Sequence, residues 1–309
     1  MEKMKTNKGF EIDVTNVSLS ILRNINSTIN RSFHLHSHIL YDLRTMLNKE
    51  EVNYLEIGGW LGSSASLMVS HPQKTNVISV DLWDMNTEHH VKLNDFKKVI
   101  DELIKLQKIK IKKIIPTYSL KLLKKEMNLF YEWYLPEFFS KKKINEIKKR
   151  IDYNFLNLLK KTTIYNNIFV HRDFHIENLI VHNKKIGFLD TQDAVIGHPA
   201  YDLMSLVDDV RIKINQNDQS KLINYYLRQK KNIQKDFIFD FHILSVQRLL
   251  KILGIFLRLY RRDHKNKYLR YLPRTWSLLK LRLKHEGLKD LNLIFNKYFS
   301  KKIIRRKWK

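Results

Sequence analysis

Residues 169–194 read FVHRDFHIENLIVHNKKIGFLDTQDA and constrain the fold more than any other part of this sequence. They place His, Arg, Asp, Asn, Glu and Gln side chains around two short apolar runs, at residues 178–181 and 186–189. Short apolar runs bounded by polar residues are typical of β-strands. The stretch therefore predicts two strands that carry carboxylates and an amide at their ends.

The composition sets limits on the class of protein. A chain of 309 residues, 43% hydrophobic and 11% aromatic, can bury a core in one large or two smaller domains. It has no cysteine, which excludes disulfides and thiolate metal sites and fits a cytoplasmic protein. Because no apolar run follows the N-terminal lysines, and none reaches about 18 residues anywhere, we expect neither a signal peptide nor a transmembrane segment.

The net charge of +26 is unevenly distributed. Residues 1–95 carry 9 of the 57 basic and 11 of the 31 acidic residues, and residues 96–309 carry the other 48 and 20. This change indicates two pieces of different origin. The basic part, including its tail KYFSKKIIRRKWK, could contact an anionic surface such as a membrane or a nucleic acid. A codon bias that places lysine at exposed positions is the plainer explanation.

The N-terminal piece has the pattern of a βαβ unit. Apolar residues at helical spacing in residues 34–47 predict a helix, and residues 53–57 and 77–81 are predicted strands on either side of a helix at residues 63–70. Glycines between the first strand and its helix would let backbone amides approach a ligand closely. The same glycines could equally serve a tight turn that binds nothing.

This turn resembles the opening of class I S-adenosylmethionine-dependent methyltransferases. Glu56, Gly58, Gly62 and Asp81 stand at positions that hold the cofactor in that family, so the resemblance implies possible S-adenosylmethionine binding. Trp60 occupies a position where many members have another glycine. The resemblance ends near residue 92, before the remaining strands of a complete domain.

In the opening stretch, His171, Arg172 and Asp173 are followed by four residues and then Asn178, which is the H-R-D-x-x-x-x-N spacing of the protein kinase catalytic loop. Asp190 closes the second apolar run, where kinases place an acid that holds Mg²⁺. The resemblance implies that Asp173 is the catalytic base and that Asn178 and Asp190 bind Mg²⁺. Alternatively, Asp173 and Asn178 only cap a turn.

The other polar residues of the loop are assigned roles less directly. His171 is expected to support the loop by packing. His175 and Glu177 either face solvent or contact the substrate, and the sequence leaves both possibilities open.

A wider resemblance extends over about residues 93–290. The segments HRDFHIENLIV, IGFLDTQDAVIGHPAYDLMSLVDDVR, QRLLKILGIFLRLYRRDHKNKYLRYLPR and LLKKEMNLFYEWYLPEF are similar to the aminoglycoside phosphotransferase and choline kinase superfamily, most of all to the anomeric N-acetylmuramate/N-acetylglucosamine kinases. It implies an ATP- and Mg²⁺-dependent kinase acting on a small sugar, with Asp202 as a buried acceptor that braces the catalytic loop. Arg248, Arg258 and Arg262 would either face a phosphate or sugar, or coat a helix.

Kinases of this superfamily also have an N-terminal lobe with a phosphate-covering loop, and no glycine occurs here between Ser63 and Ile186. We therefore expect an α+β protein: a partial methyltransferase-like, Rossmann-like βαβ segment at residues 1–92 and a mainly helical, protein-kinase-like C-lobe at residues 93–309, with the kinase N-lobe missing and the activity impaired. The alternatives are a methyltransferase fragment and a non-catalytic basic binding module.

Overall fold

The computed structural model describes residues 3–5, 11–13, 51–57, 74–80, 93–109, 115–182, 185–230 and 235–308. The chain divides into two compact units, Met1–Glu88 and His89–Lys309. None of the helices within the described ranges is long and apolar enough to cross a membrane.

The first unit contains two separate strand pairs. β1 (Lys3–Lys5) pairs antiparallel with β2 (Glu11–Asp13), and β3 (Glu51–Ile57) pairs parallel with β4 (Lys74–Val80). The strands expected from the apolar pattern are thus present, although both begin earlier than predicted. Parallel neighbours require a crossover connection, as a βαβ unit has.

Several features predicted for this unit lie outside the described residues. They are the helices at residues 34–47 and 63–70, Gly58, Gly62 and Asp81; Glu56 lies in β3, opposite Ser79. The Rossmann-like segment therefore stays a prediction.

The second unit is mostly helical. Its helices are α1 (Leu93–Leu106), α2 (Leu120–Leu129), α3 (Lys141–Thr162), α4 (Ala200–Val207), α5 (Gln216–Gln229), α6 (Phe237–Arg261), α7 (Leu272–Arg282), α8 (Lys289–Tyr298) and α9 (Lys301–Ile304). Its strands are β5 (Ile168–Val170), β6 (Leu179–His182), β7 (Lys185–Phe188) and β8 (Val195–Gly197). This agrees with the mainly helical C-terminal part expected from the sequence.

Helix α6 is the centre of the core, because α2, α4 and α7 all pack against it. A helix that is covered on several sides is apolar around most of its circumference, and α6 has this character. A Cβ atom at Gly254 would lie 2.3 Å from the backbone carbon of Leu129, so only glycine allows α2 to approach this closely. The packing of α2 on α6 also fixes the side chains that α2 directs at the candidate site.

A polar cluster lies where α6 meets the end of α7. Asp208 is buried and accepts hydrogen bonds from Arg282 Nε at 2.9 Å and Nη2 at 2.6 Å. His242 on α6 lies against the same arginine, with Nδ1 3.2 Å from the Arg282 carbonyl oxygen and its ring 4.7 Å from that of His285. Burial and the Arg282 guanidinium lower the pKa of His242 to about 4.

This histidine should make the folded state sensitive to acid. The pKa of His242 is about 4 in the folded state, against an ordinary value of 6.5 for the unfolded chain. Because the unfolded chain therefore takes up a proton first, the stability that neutral His242 allows is fully present above pH 6.5 and is lost as the pH falls towards 4. We expect a loss of about 2–3 kcal/mol in the free energy of unfolding between pH 7 and pH 4.5. Urea titrations at both pH values measure it, and His242→Gln should remove that part of the pH dependence. An unchanged dependence in His242→Gln would contradict the assignment.

Candidate active site

The candidate site is a loop between two small antiparallel sheets. β5 pairs with β8, and β6 pairs with β7 in a register that places Leu179 opposite Phe188. The loop leaves β5 at His171 and enters β6 after a single 3-10 turn, Ile176–Asn178. The two predicted strands that carry polar residues at their ends are β6 and β7, displaced by one residue from the apolar runs.

Asp202 holds the backbone at the start of this loop. Its Oδ2 accepts a hydrogen bond from the His171 N–H at 2.7 Å, and its Oδ1 accepts one from the Arg172 N–H at 3.0 Å. Arg172 has a φ of 73°, a left-handed conformation that costs free energy for a residue with a Cβ atom. Burial raises the pKa of Asp202 to about 7, although both N–H groups and the charge of Arg248 favour its ionised form. The expected bracing role of Asp202 is confirmed.

The Arg172 side chain is held by Glu126, a residue that the sequence analysis missed. Glu126 Oε1 accepts hydrogen bonds from Arg172 Nη2 at 2.6 Å, Arg172 Nε at 3.1 Å and Lys251 Nζ at 2.9 Å, and Oε2 accepts one from the Tyr118 hydroxyl. Burial alone would raise the pKa of Glu126, but the charges of Lys251 and Arg172 outweigh it and lower the pKa. Glu126 is therefore a buried anion that ties the loop to α2 and α6.

Asp173 and Asn178, the predicted base and metal ligand, are in direct contact. Asn178 Nδ2 donates to the Asp173 carbonyl oxygen at 2.9 Å and to its Oδ2 at 3.1 Å. His175 Nε2 lies 3.1 Å from Asp173 Oδ1. Burial would raise the pKa of Asp173, but His175 and the charges of Arg248 and Arg211 hold it well below its usual range. The Asp173 side chain is 51% exposed, so an ionised carboxylate faces solvent at the mouth of the loop.

Asp190 follows β7 and has a φ of 58°, also in the left-handed region. It is exposed, and no described residue donates a hydrogen bond to its carboxylate. Asp173 and Asp190 both act on the buried His171 ring, whose pKa is lowered by burial and raised in part by the Leu189 backbone and by these two acids. Asp190 thus lies within electrostatic range of the loop, while the direct contacts join only Asp173 and Asn178.

The available donor atoms suit a hard cation. Asn178 uses its amide nitrogen on Asp173, and no described residue donates to its oxygen. That oxygen and the Asp190 carboxylate are ligands of the type that Mg²⁺ prefers, and Mg²⁺ commonly binds one or two protein groups with phosphates and water completing its shell. The described residues hold no cluster of three His, Asp or Glu side chains that could replace such a shell.

His175 and Glu177, for which the sequence left solvent exposure and substrate contact open, have different surroundings. His175 is buried, whereas the Glu177 carboxylate is half exposed and forms an ion pair with Arg211, with Oε2 2.6 Å from Nε. Asp209, which the sequence analysis did not single out, accepts the Ile176 N–H at 3.0 Å and the Arg211 N–H at 3.0 Å. A second buried carboxylate therefore holds the far end of the loop.

His171 has the packing role expected of it. The ring is fully buried and makes edge contacts with Phe174 and Phe188 at centroid distances of 5.9 and 6.4 Å. The three arginines singled out in the sequence, Arg248 and Arg258 in α6 and Arg262 directly after it, do not share one role. Arg262 is exposed and paired with Asp263, as a residue that coats a helix would be, whereas Arg248 is buried.

A family model for phosphotransferase enzymes matches residues 80–234, which is half of the chain and includes the whole catalytic loop. The chain is also 32% identical over 190 residues to an N-acetylmuramate/N-acetylglucosamine kinase of Neisseria meningitidis, covering 59% of this chain and 57% of that kinase. It is 35% identical over 137 residues to the kinase of the same name in Caulobacter vibrioides, covering 42% and 38%.

The chain thus spans only part of the length of these relatives. An ADP-bound aminoglycoside phosphotransferase structure aligns with 62% of this chain and 68% of its own, at 18% identity and a TM-score of 0.42. The match to the family model, which covers the loop from His171 to Asn178 and Asp190, makes this chain a member of the phosphotransferase enzyme family.

Proposed function

We propose that this protein transfers the γ-phosphate of ATP to a hydroxyl group of a sugar or amino sugar. The observation that carries the proposal is the contact between Asp173 and Asn178 inside a loop whose backbone is held by Asp202. The sugar class is supported by the relatives named N-acetylmuramate/N-acetylglucosamine kinase.

In this mechanism, Asp173 orients the acceptor hydroxyl and takes its proton as the new oxygen–phosphorus bond forms and the bond to ADP breaks. Its low pKa means that the carboxylate is already ionised at neutral pH. Asn178 and Asp190 would hold Mg²⁺, which supplies charge neutralisation to the phosphates. The chemistry therefore depends mainly on positioning, which the hydrogen bonds of Asp202 and Glu126 provide on this side of the site.

Two further parts of the proposal concern the organisation of the chain. We place the kinase-like C-lobe at residues 93–309 and a methyltransferase-like segment at residues 1–92, which we expect to bind S-adenosylmethionine weakly if at all. The parallel pairing of β3 with β4 supports the second assignment. The missing kinase N-lobe is supported by the absence of glycine between Ser63 and Ile186, and a cytoplasmic location by the absence of cysteine.

The test is ATP- and Mg²⁺-dependent phosphorylation of N-acetylglucosamine or N-acetylmuramate in long incubations with labelled ATP. Asp173→Asn removes the base while keeping a similar shape, and we expect it to lower the rate by about 100-fold or more. Asp263→Asn, which changes a partly exposed carboxylate in a surface ion pair with Arg262, is the control and should behave as the unmodified protein. Equal product formation with and without Asp173 would reject the proposed function.

A further inference from the structure

Arg248 on α6 is a buried cation that donates no hydrogen bond to any residue described by the structure. The residue is only 5% exposed, and its Nη1 is enclosed without a hydrogen-bond partner among the described residues. No described residue accepts a hydrogen bond from any nitrogen of this guanidinium. A guanidinium has five N–H donors, and buried polar groups are rarely left without partners. The arrangement therefore indicates a group that Arg248 meets only when a ligand is bound.

The position of Arg248 relates it to the catalytic loop. Its chain neighbour Gln247 donates to Glu126 Oε2 at 3.3 Å, and Lys251, one helical turn further on, donates to Glu126 Oε1. Residues three apart share a helix face, so Arg248 lies beside Lys251. Glu126 in turn holds Arg172, the residue before the proposed base.

The charge of Arg248 acts on the loop directly. It lowers the pKa of Asp173 and opposes the rise in the pKa of Asp202, yet it forms an ion pair with neither carboxylate. The other cations around the loop are committed: Lys251 and Arg172 to Glu126, and Arg211 to Asp209 and Glu177. Arg248, by contrast, donates no hydrogen bond to any described residue and forms no ion pair with one, although Arg211 also has a buried Nε without a hydrogen-bond partner among the described residues.

We propose that Arg248 binds an oxyanion of the acceptor beside Asp173, either the carboxylate of an acidic sugar or the phosphoryl group that the sugar receives. The inference rests on the proposed function, because it assumes that the acceptor lies at Asp173. A planar guanidinium offers paired N–H groups that match the two oxygens of a carboxylate or a phosphate. Arg248 would thus make an anionic group part of what the site recognises.

The first experiment uses inorganic phosphate as the probe and needs no turnover. Calorimetry compares the unmodified protein with Arg248→Gln and with Arg262→Gln, which removes the same charge from an exposed position at the end of the same helix. This control is needed because a protein of charge +26 binds phosphate non-specifically. We expect Arg248→Gln to weaken phosphate binding at least tenfold and Arg262→Gln to change it less than twofold. Equal binding by Arg248→Gln and the unmodified protein would overturn the proposal.

Arg248→Lys is the control for a loss of phosphate binding that is caused only by misfolding. It keeps the positive charge without the planar donor pair, so we expect binding between that of the unmodified protein and that of Arg248→Gln. Circular dichroism and thermal melts should show that all variants remain folded.

A second set of titrations, also without nucleotide, identifies the source of the oxyanion. N-acetylmuramate carries a carboxylate that N-acetylglucosamine lacks, and phosphorylated N-acetylglucosamine carries the phosphoryl group. If Arg248→Gln lowers the affinity for N-acetylmuramate alone, the group bound by Arg248 is the carboxylate. If it lowers the affinity for the sugar phosphate alone, the group bound by Arg248 is the phosphoryl group. Unchanged affinities for all three would overturn the proposal. Failure of the proposed function appears separately, as phosphorylation that does not depend on Asp173.

Discussion

Replacing Asp202 with alanine is expected to lower the free energy of unfolding by roughly 2–6 kcal/mol and to abolish any phosphoryl transfer. The substitution removes the fully buried acceptor of two N–H groups, that of the buried His171 and that of the part-buried Arg172. Each buried donor left unpaired costs about 1–3 kcal/mol. Arg172 also keeps its left-handed backbone only while the surroundings hold it there, so the loop should lose its shape as well as its stability.

Asp202→Asn separates hydrogen bonding from charge. Burial raises the pKa of Asp202 to about 7, so the carboxylate gains little from its charge, and a neutral amide still offers one acceptor oxygen. We therefore expect Asn to cost less than Ala. Denaturant titration measures both variants, and Asp263→Ala, at an exposed ion pair, should stay within about 0.5 kcal/mol of the unmodified protein. A loss below about 1 kcal/mol for Asp202→Ala would show that the two N–H groups find other partners.

The sequence predicts the parts of this site that are close together in the chain. Asp173 and Asn178 are five residues apart, so one short loop suffices to bring them into contact, and the motif shows both at once. The apolar runs on either side of residues 182–185 similarly predict the β6–β7 hairpin. Local spacing carries this information because the loop and the hairpin are built from neighbouring residues.

Glu126 shows where such reasoning ends. Its partners Arg172 and Lys251 lie 46 and 125 residues away, and nothing in the residues around Glu126 distinguishes it from an exposed glutamate. The contact follows from how α2 packs on α6, which depends on Gly254 and on the whole core. Long-range polar contacts of this kind are results of the tertiary fold and leave no periodic signal in the chain.

Arg248 left a signal that the sequence analysis did not use. Arg248 stands in a mostly apolar run of α6, in which Leu249 and Leu250 are buried, although Gln247 and Lys251 near it are polar. An arginine within such a run is placed in the interior unless its long side chain reaches solvent. Because buried arginines need partners, the apolar run around Arg248 is by itself a reason to expect a binding role.

The second large effect concerns the rate of phosphoryl transfer. We expect this chain to phosphorylate N-acetylglucosamine, N-acetylmuramate or aminoglycosides roughly a thousandfold more slowly than a kinase with both lobes, so that product rises above background only in long incubations with labelled ATP. Phosphoryl transfer leaves little covalent chemistry to the protein, so positioning of the triphosphate supplies much of the rate. Losing the groups that cradle it should remove several kcal/mol of transition-state stabilisation, and each 1.4 kcal/mol or so is a factor of about ten.

A chimera tests whether the proposed absence of a kinase N-lobe is the cause. Residues 1–92 would be replaced by the part of the Neisseria meningitidis kinase that precedes its region of similarity to this chain, and the rate compared with that of the unmodified protein. Because Asp173, Asn178 and Asp202 are already arranged, we expect the chimera to gain about a thousandfold, and Asp173→Asn within it to lose that gain. The basic surface offers a competing route, since lysines near the site can neutralise phosphate charge, but flexible point charges do not fix an in-line geometry. Rapid Asp173-dependent turnover by the unmodified chain would mean that its N-terminal unit, or a second protein, positions the nucleotide instead.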